Sequence, residues 1–262
     1  ISARLMSVPD GEQLWADRFD ERFTDLFTVQ DTIAERVANA LTVELTNAER
    51  RLVSQRFTKD VEAYELYIAG RFHWNKRTAP SLRQAIPFFE RALKRDPDFA
   101  LAYAALADCH AVLAIFGVEA PNAAFPRARA AALRALEIDP QLAQAHASLG
   151  HVKVQYDLDW DGAEESYRRA IDLDPDYAMT YHWMGILHGY RGEMDQGAEA
   201  MRHALALEPA QPSFATNLGM LLYFAGRDDD AIGLLRHALD MEPGFDAARS
   251  WLGRIYLRQG KF

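Results

Sequence analysis

The sequence predicts an all-α protein in which helical hairpins repeat along the chain, preceded by a β-hairpin. Acidic-Pro pairs recur, an apolar helical pattern precedes each pair, and a large residue stands beside a small one in the helix that follows. The pairs are Asp96-Pro97, Asp139-Pro140, Asp174-Pro175, Glu208-Pro209 and Glu242-Pro243. Their prolines are separated by 43, 35, 34 and 34 residues. This repetition indicates stacked hairpins, since one hairpin cannot bury its apolar face alone.

Each repeat is interpreted as two antiparallel helices. Proline after an acidic residue ends the second helix, because proline lacks an N–H and restricts the residue before it. In the first helix, the small residue of each large-small pair lets the two helices approach closely. These pairs are Leu106-Ala107, Leu149-Gly150, Met184-Gly185, Leu218-Gly219 and Leu252-Gly253. Gly192, Gly226 and Gly260 are predicted at the turns inside their hairpins.

The second helices carry Ala followed four residues later by a large residue. Examples are Ala85 with Phe89, Ala163 with Tyr167, and Ala231 with Leu235. With the pairs above, this spacing resembles the tetratricopeptide (TPR) family, whose pattern runs W-x2-L-G-x2-Y, A-x3-F, then A and P over 34 residues. One repeat departs from it, with Gly197 and Met201 in place of Ala and Phe. The resemblance implies a right-handed superhelix of five full repeats, about residues 63–245, and a sixth first helix, Asp246–Gln259.

One repeat is nine residues longer than the 34-residue period, and the excess falls in "GVEAPNAAFP", residues 117–126. Its two prolines predict an ordered loop between the helices rather than additional helix. The loop is either a tolerated surface insertion or a contact for a partner.

The residues before the repeats predict a β-hairpin over 1–20, since "SVPDGEQLWADRF" places Pro9-Asp10-Gly11 between two alternating segments. Two helices are predicted next, at about 24–45 and 46–56. The second opens with a capping box, Thr46 to Glu49. This gives an N-terminal segment over 1–57 and a repeat array over 58–262.

The sequence of this segment resembles the end of a TolB-like α/β domain, through Asp25-Leu26-Phe27, Gln30 and Asp31. Such domains precede TPR arrays in bacterial signalling proteins. The resemblance implies a regulatory arm whose output domain lies before Ile1. That domain would be a winged-helix transcription regulator, a class III nucleotide cyclase or a Ser/Thr kinase.

Composition restricts the partners of the chain. The net charge of −9 argues against duplex DNA, because affinity for its backbone comes from Lys and Arg. No apolar run approaches the roughly 18 residues of a membrane-spanning helix. Cys109 is the only cysteine, so no internal disulfide forms. A cytoplasmic location is expected, with the periplasm left open.

Three patterns resemble parts of chemical sites, but none predicts an enzyme, a cofactor or a metal site. "DLDWDG" places Asp157, Asp159 and Asp161 as in the first half of an EF-hand, but Arg168 stands where the loop needs Glu. His146 and His151, or His182 and His188, are five and six residues apart and share no helix face well. Cys109 lies in an apolar helix and is interpreted as a core residue.

The remaining prediction is a binding surface on the concave face, lined by the first helices. By helical phase it carries Trp74, Arg77, Asp108, His151, Gln155, His182, Tyr190, Thr216, Asn217, Met220, Tyr223, Arg254 and Arg258. Aromatic residues, Met and Arg are enriched at protein interfaces, so a peptide or protein segment is the expected ligand and a small molecule is the alternative.

The expected function is a non-catalytic interaction module of a transcription regulator. The alternative is the regulatory arm of a cyclase or kinase. Unpaired strand edges template pairing with another chain, so a second copy, pairing through the N-terminal hairpin, is a further predicted partner.

Overall fold

The computed structural model describes strands Ser2–Met6 and Gln13–Arg18, the single residue Arg36, and residues 57–261. The chain divides into two compact units, Ile1–Glu65 and Leu66–Phe262. The boundary between residues 57 and 58 stays a prediction. The helices predicted at about 24–45 and 46–56 lie outside the described residues, except for Arg36. The residues that resemble a TolB-like domain also lie outside them, except for the two strands and Arg36.

The first unit contains a two-stranded antiparallel sheet of β1, Ser2–Met6, and β2, Gln13–Arg18. Ser2 is opposite Arg18 and Leu5 is opposite Trp15, but Met6 is opposite Gln13. The register therefore skips one residue of β2, as in a β-bulge.

Eleven helices follow within the described residues. They are α1 Val61–Asn75, α2 Ala79–Arg95, α3 Ala100–Ile115, α4 Pro121–Ile138, α5 Ala143–Val152, α6 Trp160–Leu173, α7 Ala178–Arg191, α8 Met194–Leu207, α9 Pro212–Phe224, α10 Asp228–Met241 and α11 Asp246–Arg258. A π-helical turn, Lys153–Asp157, continues α5. Odd-numbered helices are the first helices of hairpins and even-numbered ones the second, and α11 is a sixth first helix. The predicted all-helical array of hairpins is confirmed.

The acidic-Pro pairs end the second helices as predicted. In each pair the acidic residue leaves the helical conformation and donates its backbone N–H to the carbonyl of an alanine four residues earlier. The N···O distances are 2.9 Å for Asp96 to Ala92 and 2.8 Å for Asp139 to Ala135. The alanines themselves are fully buried, so the same residue closes the helix and packs the core.

Small residues in the first helices accommodate the large residue of the A-x3-F motif. A Cβ added at Gly150 would lie 2.6 Å from the Tyr167 ring, and one at Gly185 would lie 2.5 Å from Met201 Cγ. Both distances are shorter than a van der Waals contact, so glycine is required by the approach of the second helix.

The loop predicted over 117–126 is wrong, because α4 begins at Pro121. Pro121 occupies the first turn, where its missing N–H would have had no intrahelical partner. Pro126 lies further inside the helix. The additional residues lengthen α3 and α4 to 16 and 18 residues, against 14 in both α7 and α8. Proline was interpreted as a helix breaker at a position where it starts a helix.

Candidate functional site

A cavity of about 390 Å³ lies within the second unit, among the first helices of successive hairpins. Its lining comes from α3, α5, α7 and α9, and from the turns that follow α1 and α10. The apolar lining includes Val112, Ile115, Phe116, Trp183, Ile186 and Phe245. The polar lining comprises Arg77, Thr78, His151, His182, Ser213, Thr216, Asn217, Glu242 and Asp246. The structure thereby brings together five predicted surface residues: Arg77, His151, His182, Thr216 and Asn217.

Arg77 lies in the turn between α1 and α2 with φ of 50°, in the left-handed region that disfavours side chains. Its guanidinium lies 4.1 Å from the ring centroid of Trp74 and donates from Nη2 to the sulfur of Met179 at 3.1 Å. Burial lowers the pKa of Arg77 to about 10, against the opposing field of Asp108. The guanidinium is therefore a half-buried cation at neutral pH, with its Nε buried.

Two buried histidines, one on α5 and one on α7, line the cavity. The ring of His151 stacks on Trp183 at 4.5 Å between centroids. Asn217 Nδ2 lies 2.7 Å from Nε2 of His182, so the amide donates to a neutral ring whose proton is on Nδ1. Burial lowers the pKa of His151 to about 3, and burial followed by the charge of Arg77 lowers that of His182 well below its usual range. Both rings are neutral at physiological pH.

Several lining side chains carry polar atoms that have no hydrogen-bond partner among the described residues. These atoms are Arg77 Nε, both ring nitrogens of His151, His182 Nδ1, Ser213 Oγ and Thr216 Oγ1. A buried polar group without a partner costs about 1–3 kcal/mol. Their concentration around one cavity is the main electrostatic feature of the second unit.

Asp108, on α3, is buried next to this cluster. The Ser148 hydroxyl lies 2.5 Å from its Oδ1 and 2.8 Å from the backbone oxygen of Gln144. Burial raises the pKa of Asp108 to about 7, against the Ser148 hydrogen bond and the charges of Arg71 and Arg77. One hydroxyl proton cannot serve both acceptors, so a protonated Asp108 would donate to Ser148, which would then donate to Gln144.

The other predicted surface residues lie elsewhere in the second unit. Gln155 and Tyr190 meet at 3.4 Å on successive first helices. Arg258 lies 3.7 Å from the ring centroid of Tyr223, and Arg254 lies 4.8 Å from that of Trp251.

The remaining two of these residues are not open groove surface. Trp74 is buried beneath Arg77, and Met220 is half-buried. None of these placements tests binding, which stays a prediction for all thirteen.

Sequence reasoning missed a row of exposed apolar side chains at the ends of the first helices. Ile115, Tyr156, Tyr190 and Phe224 are each exposed. Each lies two residues before the turn residue with positive φ. This shared position in the sequence is the signal from which the row could have been predicted. Only Tyr190 had been predicted as surface. We call these four residues the aromatic row.

The acidic turn "DLDWDG" is held by separate contacts. Asp157 pairs with Arg129, Asp159 accepts from the Gly162 N–H at 3.0 Å, and Asp161 pairs with Arg191 at 2.7 Å. Cys109 is buried, and burial raises the pKa of its thiol. These contacts explain each residue as part of the fold.

No cluster of three or more His, Cys, Asp or Glu side chains within the described residues is placed to hold a metal ion. Across the same residues, every helix is too short or too polar to cross a membrane.

Comparison with known proteins identifies the repeats. A family model described as a tetratricopeptide repeat matches residues 184–244 and 218–262. A thermophilic TPR protein of Thermus thermophilus superposes with a TM-score of 0.59 at 21% identity, covering 74% of this chain and 99% of that one. Residues 184–262 therefore match tetratricopeptide repeats, and the rest of the array shares the fold of the Thermus protein. The predicted TPR resemblance is thus confirmed, and the TPR array is the part of the chain that carries the cavity and the aromatic row.

Two further similarities are weaker or shorter. YrrB is described as a TPR protein with an unusual peptide-binding site. Its alignment covers 75% of this chain and 97% of the YrrB chain at 20% identity, with a TM-score of 0.43. That superposition is too loose to bear on function. "Putative adenylate cyclase 3" of Rhizobium meliloti (strain 1021) is 36% identical over 106 residues, or 40% of this chain. The matched region spans 18% of that protein.

Proposed function

We propose that this chain is a non-catalytic protein-binding module whose partner is an extended protein segment lying along the aromatic row. TPR folds are generally interaction modules, and the row carries the proposal. Its members occupy one position in successive repeats, so they follow one another along the array at regular intervals. An extended polypeptide segment also presents its side chains at regular intervals, so it can contact successive members of the row.

Exposure and residue type support the row as a contact surface. Tyr190 and Phe224 are 53% and 58% exposed, although both are large and mainly apolar. Aromatic residues are enriched in protein interfaces, and aligned exposed apolar side chains mark interaction sites.

Site-specific crosslinking tests the row. A photoreactive phenylalanine analogue at position 190 is expected to crosslink one segment of one partner, and Phe224→Ser should remove that crosslink because it removes the neighbouring contact. The same analogue at Leu133, an exposed apolar residue of the second helix α4, is the matched control. Equal crosslinking from positions 190 and 133 would eliminate the aromatic row as the binding surface.

We further propose that the module regulates an output domain of a larger bacterial signalling protein, in the cytoplasm. A transcription regulator was the first expectation, but the match to a protein named as an adenylate cyclase favours the regulatory arm of a cyclase. The residues encoded before Ile1 distinguish them. A class III cyclase would show metal-binding aspartates there, whereas a winged-helix domain would be basic and rich in helix; a TolB-like domain should stand between that head and the array.

A further inference from the structure

The cavity has the size of a small-molecule site. Pockets for such ligands occupy about 300–1,000 Å³, and this one measures about 390 Å³. One turn of an α-helix, about 10 Å wide and 5.4 Å long, fills about 420 Å³. A helical partner segment therefore does not fit inside. Ile115 of the aromatic row also lines the cavity, whereas Tyr156, Tyr190 and Phe224 do not.

The positive charge of Arg77 favours an anion in its part of the cavity. No carboxylate among the described residues lies within 4.0 Å of Arg77, whose nearest polar contact is the sulfur of Met179. Asp108 reduces the field of Arg77 only in its ionised form, and Arg71 adds a second positive charge. Because a buried charge without a partner is costly, an anion that reaches this guanidinium would be strongly favoured.

The neutral groups supply hydrogen-bond donors without adding charge. His182 carries a proton on Nδ1, His151 carries one on either ring nitrogen, and Thr216 contributes a hydroxyl. A carboxylate has two oxygens and accepts about four hydrogen bonds. Glu242 and Asp246 also line the cavity and oppose negative charge near them, but neither is among the charges that act on Arg77. The anionic group is therefore expected beside Arg77, and a ligand with two or more negative charges is disfavoured.

The apolar walls define the rest of the ligand. Trp183, Ile186 and Phe245 line the same cavity as Arg77, and so do Val112 and Ile115. Burial of apolar area contributes about 25 cal/mol per Å². The lining therefore suits an acid that has an apolar body.

The backbone of Arg77 gives an independent indication. Glycine occupies the positive-φ position of four turns, at 117, 192, 226 and 260, while Arg77 and Leu158 adopt φ of 50° and 56° with full side chains. Of these two, Leu158 is exposed and Arg77 lines the cavity. Such strain persists at functional positions, where the side chain is needed in spite of its cost.

We propose that this cavity binds a small organic monocarboxylate, with its carboxylate on Arg77 and the His182 and Thr216 donors and its apolar body against Trp183. This site is additional to the partner surface and is measurable on the isolated chain. Its ligand would give the array a small-molecule input besides its protein partner.

Calorimetric titration with matched acids and amides tests this site. The probes are hexanoate, 4-phenylbutyrate and indole-3-propionate, each with its uncharged amide. At least one acid should bind with submillimolar Kd and at least tenfold more tightly than its amide. Arg77→Gln should weaken the acid at least tenfold and leave the amide within about twofold, and Thr216→Val should weaken the acid several-fold.

An arginine outside the cavity provides the control for Arg77. Arg227→Gln changes an exposed arginine outside the cavity and should leave acid binding unchanged. Failure of all three acids to bind at 10 mM, or equal binding of acid and amide, would overturn the proposal. If only N-acetyl-alanyl-phenylalanine binds, the carboxylate belongs to a polypeptide C-terminus and the small-acid assignment is wrong. None of these results depends on crosslinking at the aromatic row.

Discussion

Arg77 occupies a turn position that glycine fills in four other turns of the described residues, and Leu158 does the same with φ of 56°. Both residues adopt the left-handed conformation, which costs an L-residue about 1–2 kcal/mol. The Leu158 residue is 72% exposed, so its side chain contributes little to packing. The two positions therefore share the backbone strain and differ in whether a half-buried charge accompanies it.

Arg77→Gly should raise the free energy of unfolding more than Leu158→Gly does. Both changes relieve strain, partly offset by the roughly 0.5–1 kcal/mol entropic cost of glycine. Only Arg77→Gly also removes a half-buried cation that has no ion-pair partner among the described residues. We expect a rise of about 1–2 kcal/mol for Arg77→Gly and about 0.5 kcal/mol for Leu158→Gly, measured by urea denaturation. A destabilised Arg77→Gly variant would show that packing on Trp74 outweighs both costs.

Asp108 predicts a pH dependence of stability. The groups facing it are Arg71, Arg77, Ser148 and Tyr177, with Cys109 adjacent on α3. Its native pKa of about 7 lies above the unfolded value of about 3.9. The folded state therefore binds this proton more tightly, and the contribution of Asp108 to stability is lost as pH rises from about 4 to about 7.

The difference in unfolding free energy between Asp108→Asn and the native protein isolates this effect. It should increase with pH by up to about 1.4 kcal/mol per unit between pH 4 and 7, then level off. The depressed pKa values of His151 and His182 act in the opposite direction, but they are common to both proteins and cancel. Asp172→Asn, which removes an exposed carboxylate, is the control for the loss of a negative charge. A flat difference for Asp108→Asn would contradict the raised pKa.

At the scale of the helix, one sequence position has different requirements in different repeats. Gly219 and Gly253 follow a leucine at the same place in successive first helices. A Cβ at Gly219 would lie 2.9 Å from Leu235 Cγ, whereas one at Gly253 would meet nothing within 4 Å in this chain. The second helix α10 imposes the requirement on Gly219.

Alanine at these two positions should have opposite effects. Gly219→Ala should lower the free energy of unfolding by about 1–2 kcal/mol, because overpacking against α10 outweighs the gain in helix propensity. Gly253→Ala should raise it by up to about 1 kcal/mol through propensity alone. Thermal unfolding of both variants gives the comparison, and stabilisation by Gly219→Ala would show that α10 shifts at little cost.

At the scale of the whole molecule, the predicted self-association through β1 and β2 remains a proposal. The strands form a two-stranded sheet, which is marginally stable by itself. If edges pair between copies, light scattering should give a dimer mass for the intact chain and a monomer mass after deletion of residues 1–20. A monomeric intact chain would remove the proposal, and retention of the helical circular dichroism signal is the control for folding.

The sequence predicted the helical array better than it predicted the cavity. Hairpin ends followed from acidic-Pro pairs, because the restriction before proline is local. Groove residues were chosen by phase within one helix, and phase does not show which side chains become buried. His151 and His182 were both predicted on the concave surface, but their burial and the cavity around them could not be predicted from helical phase. Pro121 was misread because proline at a helix start resembles proline in a loop, and Pro126, further inside α4, was assigned to the same loop.

The sequence by itself determined the repeat, the helix ends, the turn glycines and the TPR fold, because each depends on spacings within one hairpin. The tertiary structure alone decided three features: the burial of Asp108, the half-buried Arg77 guanidinium whose Nε has no partner among the described residues, and the cavity that joins the turn at Arg77 to α9 and the turn before α11. Those features depend on the rotation between successive hairpins. This rotation accumulates over the array from many small packing contacts, and no local pattern encodes it.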